Sequence, residues 1–114
     1  MKTKFLLSIS CLFIFMQVKA YDFSFEGIYY NITSSNTVSV TFKNTSYNNY
    51  SGYVTIPSVV TNNGKTYNVD SIGKYAFSYC TGLTSLEIPN SIKTIGDYAF
   101  FGCSELNTII IPNS

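Results

Sequence analysis

At 114 residues, with seven lysines against six carboxylates and no histidine, the chain carries a formal charge of +1. That balance supplies no basic face of the kind nucleic-acid binding requires. Charged residues make up 11% of the chain and aromatics 17%, which leaves room for one modest, β-rich domain.

Residues 1–20 read as a signal peptide. Lys2 and Lys4 precede an almost unbroken apolar run from Phe5 to Met16, and Val18-Lys19-Ala20 offers a small-residue cleavage site, so the exported chain is expected to start at Tyr21. The run is shorter than the about 20 apolar residues of a membrane-spanning helix, and no transmembrane segment is expected in the mature chain. Acylation at Cys11 is the alternative, but Leu12 to Met16 continues the apolar run past it. Cleavage leaves Lys43, Lys65, Lys74 and Lys93 against six carboxylates, a formal net charge of −2.

Residues 21–52 are expected to form an N-terminal β-hairpin cap followed by a polar loop. Gly27 to Thr33 and Thr37 to Phe42 are β-rich runs joined by Ser34-Ser35-Asn36, and Asn44 to Gly52 is rich in Asn, Tyr and Ser. Residues 53–68 read as a degenerate first coil. Tyr53-Val54-Thr55-Ile56-Pro57 is a strand stopped by proline, which lacks a ladder donor. An insertion carrying Asn62-Asn63-Gly64-Lys65 then gives a strong hairpin-turn signal.

The remaining residues repeat. Sliding the chain by 23 places sets 69–91 over 92–114, and eleven of the 23 pairs are identical, among them Ile72/Ile95, Gly73/Gly96, Tyr75/Tyr98, Phe77/Phe100, Cys80/Cys103 and Leu83/Leu106. Within each unit a strand, a Pro-Asn-Ser turn, an Ile-Gly segment and a compact Tyr-Ala-Phe turn follow one another. Period-2 alternation puts Leu86 and Ile88 on one side of a strand and Ser85 and Glu87 on the other. Gly73 and Gly96 are expected where a tight or left-handed backbone turns the corner. The Tyr-Ala-Phe segments, too short for an α-helix, suit a 3₁₀ or single helical turn. Stacked coils would align Phe77 over Phe100 and Cys80 over Cys103.

The pattern Ile-Gly-x-Tyr-Ala-Phe-x-x-Cys-x-x-Leu-x-x-Leu/Ile-x-Ile-Pro-Asn-Ser, at 72–91 and 95–114, resembles the repeat of the BspA-like leucine-rich-repeat family. The resemblance implies a mainly β fold: a right-handed solenoid with 23-residue repeats and short 3₁₀ or helical turns behind a hairpin cap. It also implies a secreted or cell-surface bacterial protein, with members that adhere to host proteins or other cells. Solenoids generally need about three or more repeats and a cap at each end. The sequence is therefore expected to be the N-terminal part of a longer repeat protein, with a short solenoid that pairs edge to edge through its last strand as the alternative.

Catalysis has little to stand on. Asp70 and Asp97 fall at different repeat positions, as do Glu87 and Glu105, so no carboxylate pair recurs. No phosphate-cradling glycine loop or nucleophile elbow is present, and no cofactor is expected. Two sulfurs without a third ligand make a poor metal site. Cys80 and Cys103 would lie on coils about 4.8 Å apart, within the roughly 4.4–6.8 Å that a disulfide spans. Packing as buried thiols accounts for the pair equally well and is the preferred reading. The Phe77/Phe100 and Tyr75/Tyr98 ladders, which could also form a ligand stack, read as core, the tyrosines with hydroxyls able to reach the surface, and Tyr29, Tyr30, Tyr47 and Tyr50 as contact candidates, some of them buried by alternation. Asn31, Asn44 and Asn49 head glycosylation-like triplets that Asn/Ser/Thr richness explains.

The expected function is recognition of a protein partner, by adhesion to host or neighbouring cells, on the outward side of the stacked strands. Ser85 and Glu87 in one coil and Thr108 and Ile110 in the next are the candidate contacts. A non-recognising structural cap or spacer, or a truncated product without independent function, are the alternatives.

Overall fold

The computed structural model describes residues 20–112. The signal-peptide reading, apart from Ala20, and the alternative at Cys11 lie outside the described residues. Among those described there are nine strands and no helix: β1 (Phe23–Phe25), β2 (Ile28–Ile32), β3 (Thr37–Thr41), β4 (Gly52–Thr55), β5 (Val59–Asn62), β6 (Lys65–Ile72), β7 (Leu83–Glu87), β8 (Thr94–Ile95) and β9 (Thr108–Ile110).

Three of the connections are tight antiparallel turns set by local chemistry. β1 and β2 meet through Glu26 and Gly27, both at positive φ, and β5 and β6 through Asn63 and Gly64, also both positive. A two-residue turn of that kind matches the twist of its flanking strands. β2 and β3 pair around residues 33–36, where Thr33 N–H donates to Thr37 O at 3.0 Å.

Beyond the hairpins the pairing becomes parallel and non-local. β3, β6 and β8 run side by side, with Val40 opposite Ile72 and Ile72 opposite Ile95. A second sheet sets β4 beside β7 and β7 beside β9, with Val54 opposite Leu86 and Leu86 opposite Ile109. The chain thus passes from the first sheet to the second three times, in levels covering residues 37–55, 69–87 and 92–110. This draws the first coil differently from the sequence boundaries at 52/53 and 68/69. β3 and the polar loop after it belong to the first level, and residues 56–68 are an insertion between the first and the second.

The core lies between the sheets. Val38, Val40, Ile56, Val69, Ile72, Phe77, Leu83 and Leu86 are fully buried there, and Phe23, Ile28, Tyr30 and Val60 extend it under the N-terminal hairpins. One aromatic column crosses all three levels: Tyr50 packs on Phe77 at 4.7 Å between ring centres, and Phe77 stacks on Phe100 at 5.4 Å with 8° between the planes.

Two expectations about the turns change. The segment after each Ile-Gly is a chain of overlapping turns, because Tyr75 (φ 62°), Tyr79 (φ 57°) and Tyr98 (φ 58°) adopt the left-handed conformation that interrupts a helix. Alternate amides then serve different levels. Ala76, Ser78 and Cys80 N–H donate back three residues, whereas Tyr75, Phe77 and Tyr79 N–H donate to Asp97, Ala99 and Phe101 O at 3.1, 2.8 and 2.6 Å. A continuous 3₁₀ helix would consume every amide within the segment and leave the levels unjoined on this side. Gly73 and Gly96 have no left-handed backbone; they allow close approach. A Cβ on Gly96 would lie 2.5 Å from Lys74 N and 2.8 Å from Gly73 C.

Tyr30 and Tyr50, both contact candidates from sequence, are buried. Tyr50 Oη donates to Thr41 O at 2.5 Å and accepts from Tyr29 N–H at 3.1 Å, while Tyr30 Oη has no partner. Tyr50→Phe should therefore destabilise by about 1–3 kcal/mol, by orphaning two backbone groups. Tyr30→Phe should be neutral or stabilising, and urea denaturation distinguishes the two. Burial, reinforced for Tyr30 by the nearby Glu26 charge, raises both phenols above their ordinary value near 10. With folded-state values above the unfolded ones, their contribution is complete below pH about 10 and is lost as pH rises further.

Candidate interaction surface

The outward side of β4, β7 and β9 presents two rows. Pairing places Tyr53, Ser85 and Thr108 in one and Thr55, Glu87 and Ile110 in the other. All four residues singled out in the sequence thus come together as neighbouring pairs. Ser85 and Glu87 are half-buried, and Thr108 and Ile110 are exposed. Sequence reasoning missed Tyr53 and Thr55. Aligning Ile56-Pro57 with Ile88-Pro89 sets Tyr53 over Ser85 and Thr55 over Glu87, so the signal was available. Tyr53 is 60% exposed, and its hydroxyl donates to Glu87 Oε1 at 2.7 Å, which holds the ring across the middle of the face.

Cys80 and Cys103 are both free thiols, the first buried and the second half-buried. Cys103 Sγ–H donates to Phe77 O at 2.9 Å. Burial pushes both thiols above their ordinary range, which keeps them protonated and poorly nucleophilic. Among the described residues no three His, Cys, Asp or Glu side chains cluster as a metal site would need, and no helix is long and apolar enough to cross a membrane.

A second surface lies on the turn side. Tyr75 stacks on Tyr98 at 5.4 Å with 10° between planes, and Tyr47 sits 5.7 Å from Tyr75. Phe42 leans on Tyr47 at 5.1 Å, and Phe101 meets both Tyr79 and Tyr98 edge-on at 86°. These rings form one contiguous patch in which Tyr79, Tyr98 and Phe101 are 48%, 58% and 51% exposed. Tyr47 is left-handed as well, at φ 59°, so four tyrosines of the patch hold a conformation that costs a side-chain-bearing residue roughly 1–2 kcal/mol each. Gly102, which occupies in its level the place of Tyr79, holds the same conformation at φ 79°, and a Cβ there would lie 2.7 Å from Cδ1 of the Tyr79 ring. Sequence reasoning assigned Tyr75 and Tyr98 to the core because they repeat, and nothing in the residue type reveals a left-handed backbone.

At the third level, positions that are sealed in the second are open. Ile111 is 66% exposed where Ile88 is 4%, and Ile95 and Ile109 are open in the same way against Ile72 and Leu86.

Residues 45–114 match a family model described as a BspA type leucine rich repeat region. No curated protein matches the chain significantly. Among solved structures, a leucine-rich repeat protein from Bacteroides ovatus is 39% identical over 82% of this chain and 24% of its own, with a TM-score of 0.70. A leucine rich cell surface protein from Faecalibacterium prausnitzii is 27% identical over 80% of this chain and 23% of its own, with a TM-score of 0.67. The pneumococcal vaccine antigen PcpA is 26% identical over 84% of this chain and 28% of its own, with a TM-score of 0.55. The chain therefore spans about a quarter of the length of these three relatives. A family match covering more than half the sequence, joined to parallel sheets that pair the residues its repeats superpose, has one reading: the chain belongs to the BspA type leucine-rich repeat family.

Proposed function

We propose that the chain is a protein-binding module displayed outside the cell, in which a right-handed solenoid of 23-residue coils carries the contact face and the N-terminal hairpins cap its first coil. The observation behind this reading is the outward face of β4, β7 and β9. There Tyr53, Ser85 and Thr108 run beside Thr55, Glu87 and Ile110 on a rigid sheet, and tyrosine is a residue type on which binding energy concentrates. The family and the cell-surface relative from Faecalibacterium support the location. Adhesion to host matrix or plasma proteins, or to neighbouring cells, is the specific activity this reading assigns, and it requires no cofactor.

Three short strands offer less than the roughly 800 Å² per partner of a standard interface, so binding by this face alone is expected to be weak. Surface plasmon resonance against immobilised extracellular-matrix and plasma proteins should give a saturable response with at least one of them. The double substitution Tyr53→Ala, Glu87→Ala should weaken that response about tenfold or more without lowering Tm. A flat response across the panel would count against adhesion.

The open third level favours a second reading. Ile95, Ile109 and Ile111 would be covered if another repeat unit or a second copy stacked there, which suits a structural cap or spacer that assembles units through its edge. Sedimentation separates the two readings: a monomer that binds a matrix protein fits the first, and edge-dependent oligomers that bind none fit the second.

A further inference from the structure

We propose that the outward face of β4, β7 and β9 receives an arginine side chain of the partner protein, with its guanidinium laid on the ring of Tyr53 and its N–H groups donating to the carboxylate of Glu87. This rests on the protein-binding reading and names the chemical group that the face recognises.

Charge is the first observation. Glu87 is the only charged residue of the three strands, and it stands on the middle one, with Thr55 on one side and Ile110 on the other. Its Oε1 accepts from the Tyr53 hydroxyl at 2.7 Å. Among the described residues no other group donates to this carboxylate and no lysine pairs with it. An ionised carboxylate can accept about four hydrogen bonds, so a single bond leaves most of its capacity open.

The second observation is the ring. Tyr53 is largely exposed, and among the described residues its ring meets neither another aromatic ring nor a lysine. Elsewhere the chain seats its own cations on tyrosine: Lys65 Nζ lies 5.6 Å from the centre of the Tyr67 ring, and Lys74 Nζ 5.4 Å from that of Tyr75. Those contacts draw on the attraction between a cation and the face of an aromatic ring. At Tyr53 the ring is held beside an anion, and no described lysine reaches either of them.

What the pair can accept selects the ligand. Two hydroxyls of these strands are already spent, Thr108 Oγ1 on Asn107 Oδ1 at 2.8 Å and Thr84 Oγ1 on Gly52 O at 3.2 Å. What stays open is chiefly acceptor capacity and a π face. A sugar hydroxyl both donates and accepts, whereas a guanidinium carries donors only and is planar, so it stacks on a ring while its edge meets a carboxylate. The ammonium of lysine is a more strongly hydrated point charge without such a face. Exposed Ile110 beside Glu87 offers apolar surface to the aliphatic stem. These 114 residues contain no arginine, so a second copy of them cannot supply the group, and the partner is a different sequence.

The test is an amide NMR titration of the purified protein with the blocked peptide Gly-Gly-Arg-Gly-Gly. Comparison ligands are the same peptide carrying lysine or citrulline, the uncharged isostere of arginine, and cellohexaose. Saturable shifts from the arginine peptide are expected at residues 53–55, 85–87 and 108–110, with the lysine peptide weaker and the citrulline peptide weaker still. Glu87→Gln, which keeps an acceptor for the Tyr53 hydroxyl, should weaken arginine binding about fivefold with Tm unchanged, the upper range for a surface ion pair. Tyr53→Leu should weaken it about threefold, the scale of an exposed cation–π contact. Glu105→Gln, at an exposed carboxylate in the turn before β9, should leave it unchanged. The proposal is overturned by an arginine peptide that does not bind, or by lysine, citrulline or cellohexaose binding as tightly. It is equally overturned by a Glu87→Gln variant that binds normally, or by Glu105→Gln weakening binding as much as Glu87→Gln does. Matrix-protein binding that is lost in the Tyr53→Ala, Glu87→Ala variant but complete in Glu87→Gln overturns it too and leaves the protein-binding reading intact. A flat response across the matrix panel, beside arginine-peptide binding that Glu87→Gln weakens, supports it and counts against adhesion alone.

Discussion

Replacing Phe77 with alanine is expected to remove about 3–5 kcal/mol of folding stability, the range for deleting a buried aromatic ring from a packed core. Its ring is fully buried and sits between Tyr50 at 4.7 Å and Phe100 at 5.4 Å. Neither neighbour can collapse into the gap. Tyr50 is tied by its hydroxyl to Thr41 and Tyr29, and the backbone around Phe100 is fixed by the bonds from Tyr75, Phe77 and Tyr79 to the third level. Domains of this size are held by about 5–15 kcal/mol in total, so a single ring accounts for a large share. The same change at Phe100, which is only half-buried, should cost clearly less. Urea denaturation of both variants checks the ordering, and equal losses would mean that the column is not anchored at the middle level.

Gly96→Ala is expected to be the most damaging small substitution. Its Cβ would meet Lys74 N at 2.5 Å, Gly73 C at 2.8 Å and Lys74 Cα at 2.9 Å. All three are backbone atoms and cannot swing aside, so the third level must back away from the second. Overpacking of this kind costs roughly 1–3 kcal/mol and occasionally more. The bonds nearest the clash are Gly96 N–H to Ile72 O at 2.7 Å and Tyr75 N–H to Asp97 O at 3.1 Å. Hydrogen exchange should therefore accelerate at Gly96, Tyr75, Phe77 and Tyr79, with the β2 and β3 amides unchanged. At Gly73 the corresponding contacts are milder, 3.0 Å to Val40 O and 3.2 Å to Ser39 Oγ, and Gly73→Ala should perturb less. A uniform rise in exchange across the chain would contradict the local account.

Much of this architecture is legible in the residues, for identifiable reasons. Superposing Leu86 on Ile109 and Ile72 on Ile95 by sequence amounts to writing the strand register, because stacked parallel coils pair like with like. Asn63-Gly64 announces its turn through φ alone. The N-terminal level is harder to read. Residues 37–51 lack the Ile-Gly-x-Tyr-Ala-Phe signature, and the parallel pairing of β3 with β6 crosses about 30 residues, beyond what local patterning encodes. β1 escaped notice because Glu26-Gly27 is a weaker turn signal than Asn-Gly and the strand spans Phe23–Phe25 only. Tyr50 is polar and surrounded by Asn and Ser in the chain, yet tertiary packing makes it the end of the central column. The rows of the sheet face were half visible, through Ser85, Glu87, Thr108 and Ile110, because alternation marks which side chains point outward. The turn face was hidden, because a tyrosine at positive φ leaves no compositional trace.

β6 carries a consequence for how the chain finds its fold. Its first half closes with β5 through a two-residue turn, a contact between near neighbours that forms in roughly microseconds. Its second half is the rail on which β3 and β8 align, contacts whose loop-closure entropy must be met before they return anything. One eight-residue strand thus joins a fast local event with slow non-local ones. The insertion that interrupts the repeat pattern is then the hairpin from which the ordered levels can grow in both directions.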